Sequence, residues 1–221
     1  MIQKILLVFR AIILSLSRYR LSRKAWVKIG AGTIVYITSS VTKHCRGGAI
    51  FIGSNCRLGV RPKSYLAGYG SATQLILWGT DSEISIGDNS ILNGVHICAR
   101  TSIRIGKGCI FATGIQILDS DTHIICSTHR LTDLDEPQPV IIGNNVWVGL
   151  NAIILKGTVI GDNSVIGAGA IVKGVFPANC VIAGNPARIV KTFDLNDSIK
   201  PKFSVQFRFL PSRPSCGGCG R

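Results

Sequence analysis

Ile142-Gly-Asn-Asn-Val-Trp147, Val148-Gly-Leu-Asn-Ala-Ile153, Ile154-Leu-Lys-Gly-Thr-Val159, Ile160-Gly-Asp-Asn-Ser-Val165 and Ile166-Gly-Ala-Gly-Ala-Ile171 follow one another without a gap. The first position of each six-residue unit is Ile or Val, and the second is Gly in four of the five units. The fifth position holds Val146, Ala152, Thr158, Ser164 and Ala170, all small or β-branched. Such a unit makes one short strand and one turn, and three units close a triangular coil of about 18 residues. The first-position aliphatic points inward and stacks on its equivalents in the coils above and below. The fifth also points inward, where space is tight. The second-position Gly is expected to supply unusual backbone angles. A helix would need a period of about 3.6 and few glycines. The fold class predicted is all-β, a left-handed parallel β-helix of hexapeptide repeats, with a short N-terminal helix and a C-terminal extension.

The same phrase recurs upstream. Ile29-Gly-Ala-Gly-Thr33 leads to Val35 and Val41, and Ile52-Gly-Ser-Asn-Cys56 leads to Leu58-Gly59. Ile86-Gly-Asp-Asn-Ser90 continues through Leu92 and Cys98. Ile105-Gly-Lys-Gly-Cys109 restarts one residue late and continues through Phe111 and Ile117. Residues 64–83 are less regular, although Leu75 and Leu77 suit a strand. The repeat is therefore expected from about Val27 to about Ile171, within a domain spanning 27–190. It breaks between Ile117 and Ile142, where LDSDTHIICSTHRLTDLDEPQPVI is polar and carries two His and two Pro. An excursion of about 119–139 from a rigid solenoid is where function is expected.

The formal net charge of +14 is concentrated at the ends. Residues 1–46 carry nine Lys/Arg and no Asp/Glu, and residues 191–221 carry six basic and two acidic residues. Residues 1–26 form an apolar, basic segment split by Arg10, too short and interrupted for a span of about 20 apolar residues. No A-x-A-like site follows it, which argues against a signal peptide. Two expectations stand: a helix lying on a membrane surface, or a helix packed on the protein's own body. Cys56, Cys98 and Cys109 fall at repeat positions and read as small core residues in a reducing compartment. Cys216 and Cys219 form a lone C-x-x-C pair in the 191–221 extension, expected to be a tail.

Three phrases then combine: D-x-D-x-H at Asp119–His123, I-G-N-N-V-W-V-G at Ile142–Gly149, and A-G-N-P-A-R at Ala183–Arg188. With the hexapeptides they resemble the hexapeptide-repeat acetyltransferases, in particular the galactoside/maltose branch and the O-acetyltransferases of bacterial surface polysaccharides of the colanic-acid type. The resemblance covers residues 84–190 and more weakly reaches back to Ile29. It implies acetyl-CoA as co-substrate, a sugar or polysaccharide precursor as acceptor, and a homotrimer with active sites between subunits. It implies neither metal nor nucleic acid, and a cytoplasmic location, peripheral on the inner membrane face if the N-terminal helix touches lipid.

By the same resemblance His123 is the catalytic base, which suits the chemistry because an alcohol is a poor nucleophile until its proton is taken. Asp119 and Asp121 orient the imidazole, bind a sugar hydroxyl, or form a turn. Asn93 falls, one residue out of register, near an acceptor-binding Asn of the family. Gly149 and Ala168 match the coenzyme A groove. Leu150 stands where relatives often have Ser or Ala, so an oxyanion donor there would be a backbone N–H. Trp147 lines the groove or packs in the core. Lys156, Lys173 (one residue displaced from the family's Lys) and Arg188 are partners for coenzyme A phosphates, or else solvated cations. His96 is expected to be structural, and His129 to face solvent. Alternatives within the fold are a serine or amino-sugar acetyltransferase. A γ-carbonic-anhydrase-like enzyme would hold zinc by His96, His123 and His129. A non-catalytic scaffold is the third class.

Overall fold

A computed structural model describes residues 15–36, 39–60 and 72–194. Among them the chain makes one short helix and 21 strands, the longest of six residues. Successive strands fall in turn on three sheets, so each strand pairs with the third one before and after it. The first sheet runs from Val27–Ile29 to Val175–Phe176 and the second from Ile34–Val35 to Ala187–Thr192. The third runs from Ser40–Lys43 to Ile171–Val172. All the strand pairings are parallel except the last, where Ala187–Thr192 folds back antiparallel on Cys180–Gly184. The result is a three-sided parallel β-helix.

The regular stretch has the predicted period. Ile141 pairs with Val159, Trp147 with Val165 and Ile153 with Ile171, each an 18-residue step. First-position Ile142, Val148, Ile154, Ile160 and Ile166 are buried, and so are the five fifth-position residues. A buried hydroxyl must find an acceptor. Thr158 Oγ1 donates to the Leu155 carbonyl at 2.6 Å, and Ser164 Oγ to the Pro177 carbonyl at 3.2 Å.

The reason for the second-position Gly is different from the one expected. The left-handed residue is the fourth of each unit: Asn145, Asn151, Gly157, Asn163 and Gly169, with φ between 54° and 73°. Asn and Gly are the residues that tolerate this region. The second-position glycines lack a Cβ because the next coil is too close. A Cβ on Gly161 would lie 2.3 Å from the Ala178 nitrogen, and one on Gly149 2.6 Å from the Ala168 nitrogen. The fourth-position asparagines also form a ladder, Asn145 Nδ2 donating to Asn163 Oδ1 and Asn163 Nδ2 to Asn179 Oδ1, both at 3.0 Å.

The β-helix continues past Ile171 through Val175–Phe176 and Cys180–Gly184, with the last step shortened to 16 residues. Leu75 and Leu77 are buried in strand Gln74–Leu77. Cys98 is not a core residue. Inward Ile97 follows inward Leu92 after a step of five positions, one short of the repeat, so strand His96–Ala99 buries Ile97 and Ala99 and turns Cys98 outward. Cys56, Cys109 and Cys180 are buried free thiols, and burial pushes the first two up.

Helix α1, residues 15–22, closes the N-terminal end of the core. Leu21 is buried with the first coil, while Arg18 and Arg20 donate to the carbonyls of Gly30 and Ser39. The described part of the helix therefore packs on the protein's own body. No helix among the described residues is long and apolar enough to cross a membrane. Residues 1–14 and the extension from 195, including Cys216 and Cys219, lie outside the described residues.

Candidate active site

The excursion leaves after strand Gln116–Leu118, at the corner between the third and first sheets, and returns at Val140–Ile142. Its two limbs are tied together. Gln138 N–H donates to the Asp119 carbonyl at 2.8 Å, and His123 and Leu134 form an antiparallel bridge. At the tip, Ser127 Oγ donates to Asp133 Oδ2 at 2.5 Å and accepts from His129 N–H. His123 is exposed. The residue before it, Thr122, has φ of 71°, a left-handed conformation that a β-branched side chain rarely adopts.

Asp119 does not face the imidazole with a free carboxylate. It is fully buried, and its two oxygens accept the N–H groups of Arg100, Thr101 and Ser102 at 2.7–2.8 Å. Burial pushes its carboxyl up, against the pull of those three donors. Its place is to shape the corner from which the loop departs.

A second carboxylate, Asp135 on the returning limb, gathers the loop. Its Oδ1 accepts from Arg100 Nη1 and from Ser120 Oγ, both at 2.7 Å. Its Oδ2 accepts from Lys156 Nζ at 2.6 Å and from Asp121 N–H at 2.8 Å. Lys156 also pairs with Asp121 Oδ2 at 2.9 Å. Burial pushes the Asp135 carboxyl up, but bonds from Lys156, Ser120 and Asp121 N–H outweigh it and hold it well below the usual carboxylate range. The bonds to Asp135 and Asp121 push the Lys156 ammonium up. The Lys156 side chain is 14% exposed and paired with two carboxylates, which places it at the base of the loop. Asp121 is likewise engaged by Lys156 rather than by His123.

The other predicted residues gather on a different edge. Hydrogen bonds run up the corner between the second and third sheets, from Asn93 N–H to the Phe111 carbonyl and from Ala112 N–H to Val148. They continue from Gly149 N–H to Ile166 and from Gly167 N–H to Ile182. Gly149, Leu150 and Ala168 are stacked there, and Ala183 of the last rung pairs with Arg188. Gly149 N–H is consumed by the ladder and is not an oxyanion donor. Arg188 is exposed and donates to the Ala187 carbonyl. Trp147 is 56% exposed on the outer face of the second sheet, so it is not core. Lys173 is exposed but follows strand Ile171–Val172, which puts it on the loop's edge, away from Ala168. One chain therefore unites Asn93, Gly149, Leu150, Ala168 and Arg188, and separates them from His123.

Beside Asn93, Gln74, His96 and Gln116 stand in register on three adjacent strands. With Gly94, Gly114 and Ile115 they line an open cleft of about 430 Å³. Burial pushes the His96 imidazole down. The same outward column becomes Ile153 and Ile171 in later coils. That change from polar to aliphatic is a signal visible in the strands once their register is known. Asp135, Arg100 and Ser120 were not singled out from sequence, because only the coil register reveals that they converge. Among the described residues no three His, Cys, Asp or Glu side chains come together to hold a metal.

A three-sided parallel β-helix of six-residue units, with one large excursion among the described residues that carries His123 and His129, is a hexapeptide-repeat scaffold. Residues 139–173 match the hexapeptide repeat of succinyl-transferase. WbbJ of Escherichia coli strain K12, provisionally assigned as a lipopolysaccharide-biosynthesis O-acetyl transferase, is 34% identical over 120 residues. That match spans 50% of this chain and 61% of the relative. A galactoside acetyltransferase solved in complex with coenzyme A is 27% identical with a TM-score of 0.52, covering 76% of this chain and 66% of that one. The polysialic acid O-acetyltransferase OatWY is 27% identical with a TM-score of 0.54, covering 75% and 74%. The chain is thus similar to hexapeptide-repeat acetyltransferases over half to three quarters of its length, and its β-helix is the left-handed form. It spans about three-fifths of the length of the curated relatives it matches.

Proposed function

We propose that the chain transfers the acetyl group of acetyl-CoA to a sugar hydroxyl of a surface polysaccharide or its precursor. It would act as a homotrimer with sites shared by neighbouring copies. The observation that carries the proposal is the division of the candidate residues between two edges of one prism. The loop edge bears His123, and the groove edge bears Asn93, Gly149, Ala168 and Arg188. Packed around a threefold axis, the loop edge of one copy meets the groove edge of the next.

His123 takes the proton from the sugar hydroxyl as its oxygen attacks the thioester carbonyl. The thiolate of coenzyme A leaves and recovers that proton from the imidazolium. Arg188 offers a guanidinium to the phosphates. The uncharged amides of Gln74 and Gln116 beside Asn93 both donate and accept, as sugar hydroxyls require. The names of WbbJ and OatWY support a polysaccharide acceptor. The basic residues 1–46 support action beside anionic lipid, where lipid-linked precursors are met.

A thiol-release assay with acetyl-CoA across nucleotide-linked, lipid-linked and polymeric sugars tests the proposal. Release above hydrolysis with one acceptor class is expected, and His123→Ala should lower kcat by about 10²- to 10⁴-fold with the oligomer unchanged. No acceptor-dependent release, or an undiminished His123→Ala variant, would overturn it.

A further inference from the structure

The histidine loop is held by a chain of hydrogen bonds that ends on the peptide next to the base. Arg100, from the coil before the loop, and Lys156, from the coil after it, fix the two oxygens of buried Asp135. Asp135 Oδ1 accepts the hydroxyl hydrogen of Ser120 at 2.7 Å. Ser120 Oγ in turn accepts the N–H of Thr122 at 2.9 Å. The neighbouring N–H of Asp121 is taken by Asp135 Oδ2 at 2.8 Å. Two consecutive amides are thereby captured just where the backbone turns left-handed at Thr122.

A threonine with positive φ is disfavoured and persists only where its surroundings over-determine it. Here the restraint is visible in Ser120 and Asp135, and the residue next to the strained threonine is His123. We propose that Ser120 and Asp135 are positioning residues. They hold Thr122 in its left-handed conformation, and so aim the His123 imidazole across the subunit boundary at the acceptor hydroxyl. The inference rests on the acetyltransferase reading above, with His123 as base.

Ser120→Ala removes the acceptor for Thr122 N–H together with a 3.0 Å contact to Arg100 Nη1, while Arg100 keeps its 2.7 Å bond to Asp135 and Lys156 keeps both carboxylates. Released from that restraint, Thr122 relaxes toward ordinary backbone angles. The population with an aimed imidazole then falls by roughly 5- to 30-fold, the range of a left-handed penalty for one residue. The expected result is that loss in kcat, with KM for acetyl-CoA unchanged because the groove lies on the other edge. Glycine adopts positive φ at no steric cost. Thr122→Gly should therefore be nearly as active as the parent and, in the Ser120→Ala background, should restore most of kcat. A merely structural role for Ser120 would not be repaired at Thr122.

Kinetics of Ser120→Ala, Thr122→Gly, the double variant and Asp135→Asn, each with oligomeric state and thermal midpoint, make the test. Asp135→Asn should lower kcat at least as far as Ser120→Ala. Unchanged kcat in Ser120→Ala, or a loss that Thr122→Gly fails to restore, overturns the positioning role. Absence of acceptor-dependent thiol release by the parent overturns the acetyltransferase reading itself, and full activity in His123→Ala overturns the assigned base, so those failures are distinguishable from failure of the positioning role.

Discussion

At the scale of single residues, two kinds of glycine share one repeat and respond to substitution for different reasons. Gly161→Ala would drive a Cβ to 2.3 Å from the Ala178 nitrogen and 2.6 Å from the Pro177 carbonyl carbon, both backbone atoms that cannot step aside. Gly169 has open space around it and φ of 69°. Gly169→Ala should thus cost about 1–2 kcal/mol from backbone strain alone. Gly169→Asn should cost less, because Asn already occupies the same position in three units. Gly161→Ala should exceed both. Thermal midpoints at one fixed protein concentration rank them, and a Gly161→Ala protein as stable as Gly169→Asn would contradict the ranking. The spacing of Ile142, Val148, Ile154, Ile160 and Ile166 made the coil legible from sequence, because burial on one face leaves a periodic trace. The two glycine roles were not legible. A glycine forced by a neighbouring backbone and one forced by its own φ are the same letter until the coils are stacked.

At the scale of the loop, stability follows the two ionised partners that anchor it. Asp135 has its folded pKa depressed, so its contribution is present above the unfolded value near 3.9 and is lost as pH falls below it. Lys156 has its folded pKa raised, so its contribution is present below the unfolded value near 10.4 and is lost as pH rises through the folded value. Hydrogen-exchange protection of residues 121–136, corrected for intrinsic rates, should be level from about pH 5 to about pH 9.5 and decline outside that window. Asp135→Asn leaves Arg100 and Lys156 without their shared partner and should destabilise by about 3–5 kcal/mol. Denaturant unfolding at neutral pH would measure that loss. The sequence marked this loop as an interruption in a repeat and chose His123 within it. It could not show that Asp119 is saturated by backbone N–H groups or that Lys156 belongs to the loop. Both depend on which residues stand one coil above and below an excursion of irregular length.

At the scale of the whole molecule, the proposed division of the site between two edges predicts that activity can be reassembled from two inactive chains. His123→Ala spoils only the loop edge. Ala168→Arg would fill the groove edge, where Ala168 is exposed. Denatured together and refolded in equal amounts, the two variants should recover activity in about a quarter of the sites by random assembly. No recovery from two well-folded parents would show that each chain carries its own complete site.

The 18-residue register also makes the protein a ruler. Adjacent rungs are about 4.8 Å apart, and the hairpin bearing Arg188 sits a whole number of rungs from the level where the loop departs. The distance along the axis between the proposed base and the proposed phosphate anchor is therefore set by counting coils, not by the shape of any one side chain. Such a scaffold changes that distance in steps of one rung. Ligand length and chain length are thereby locked to the same unit of measure.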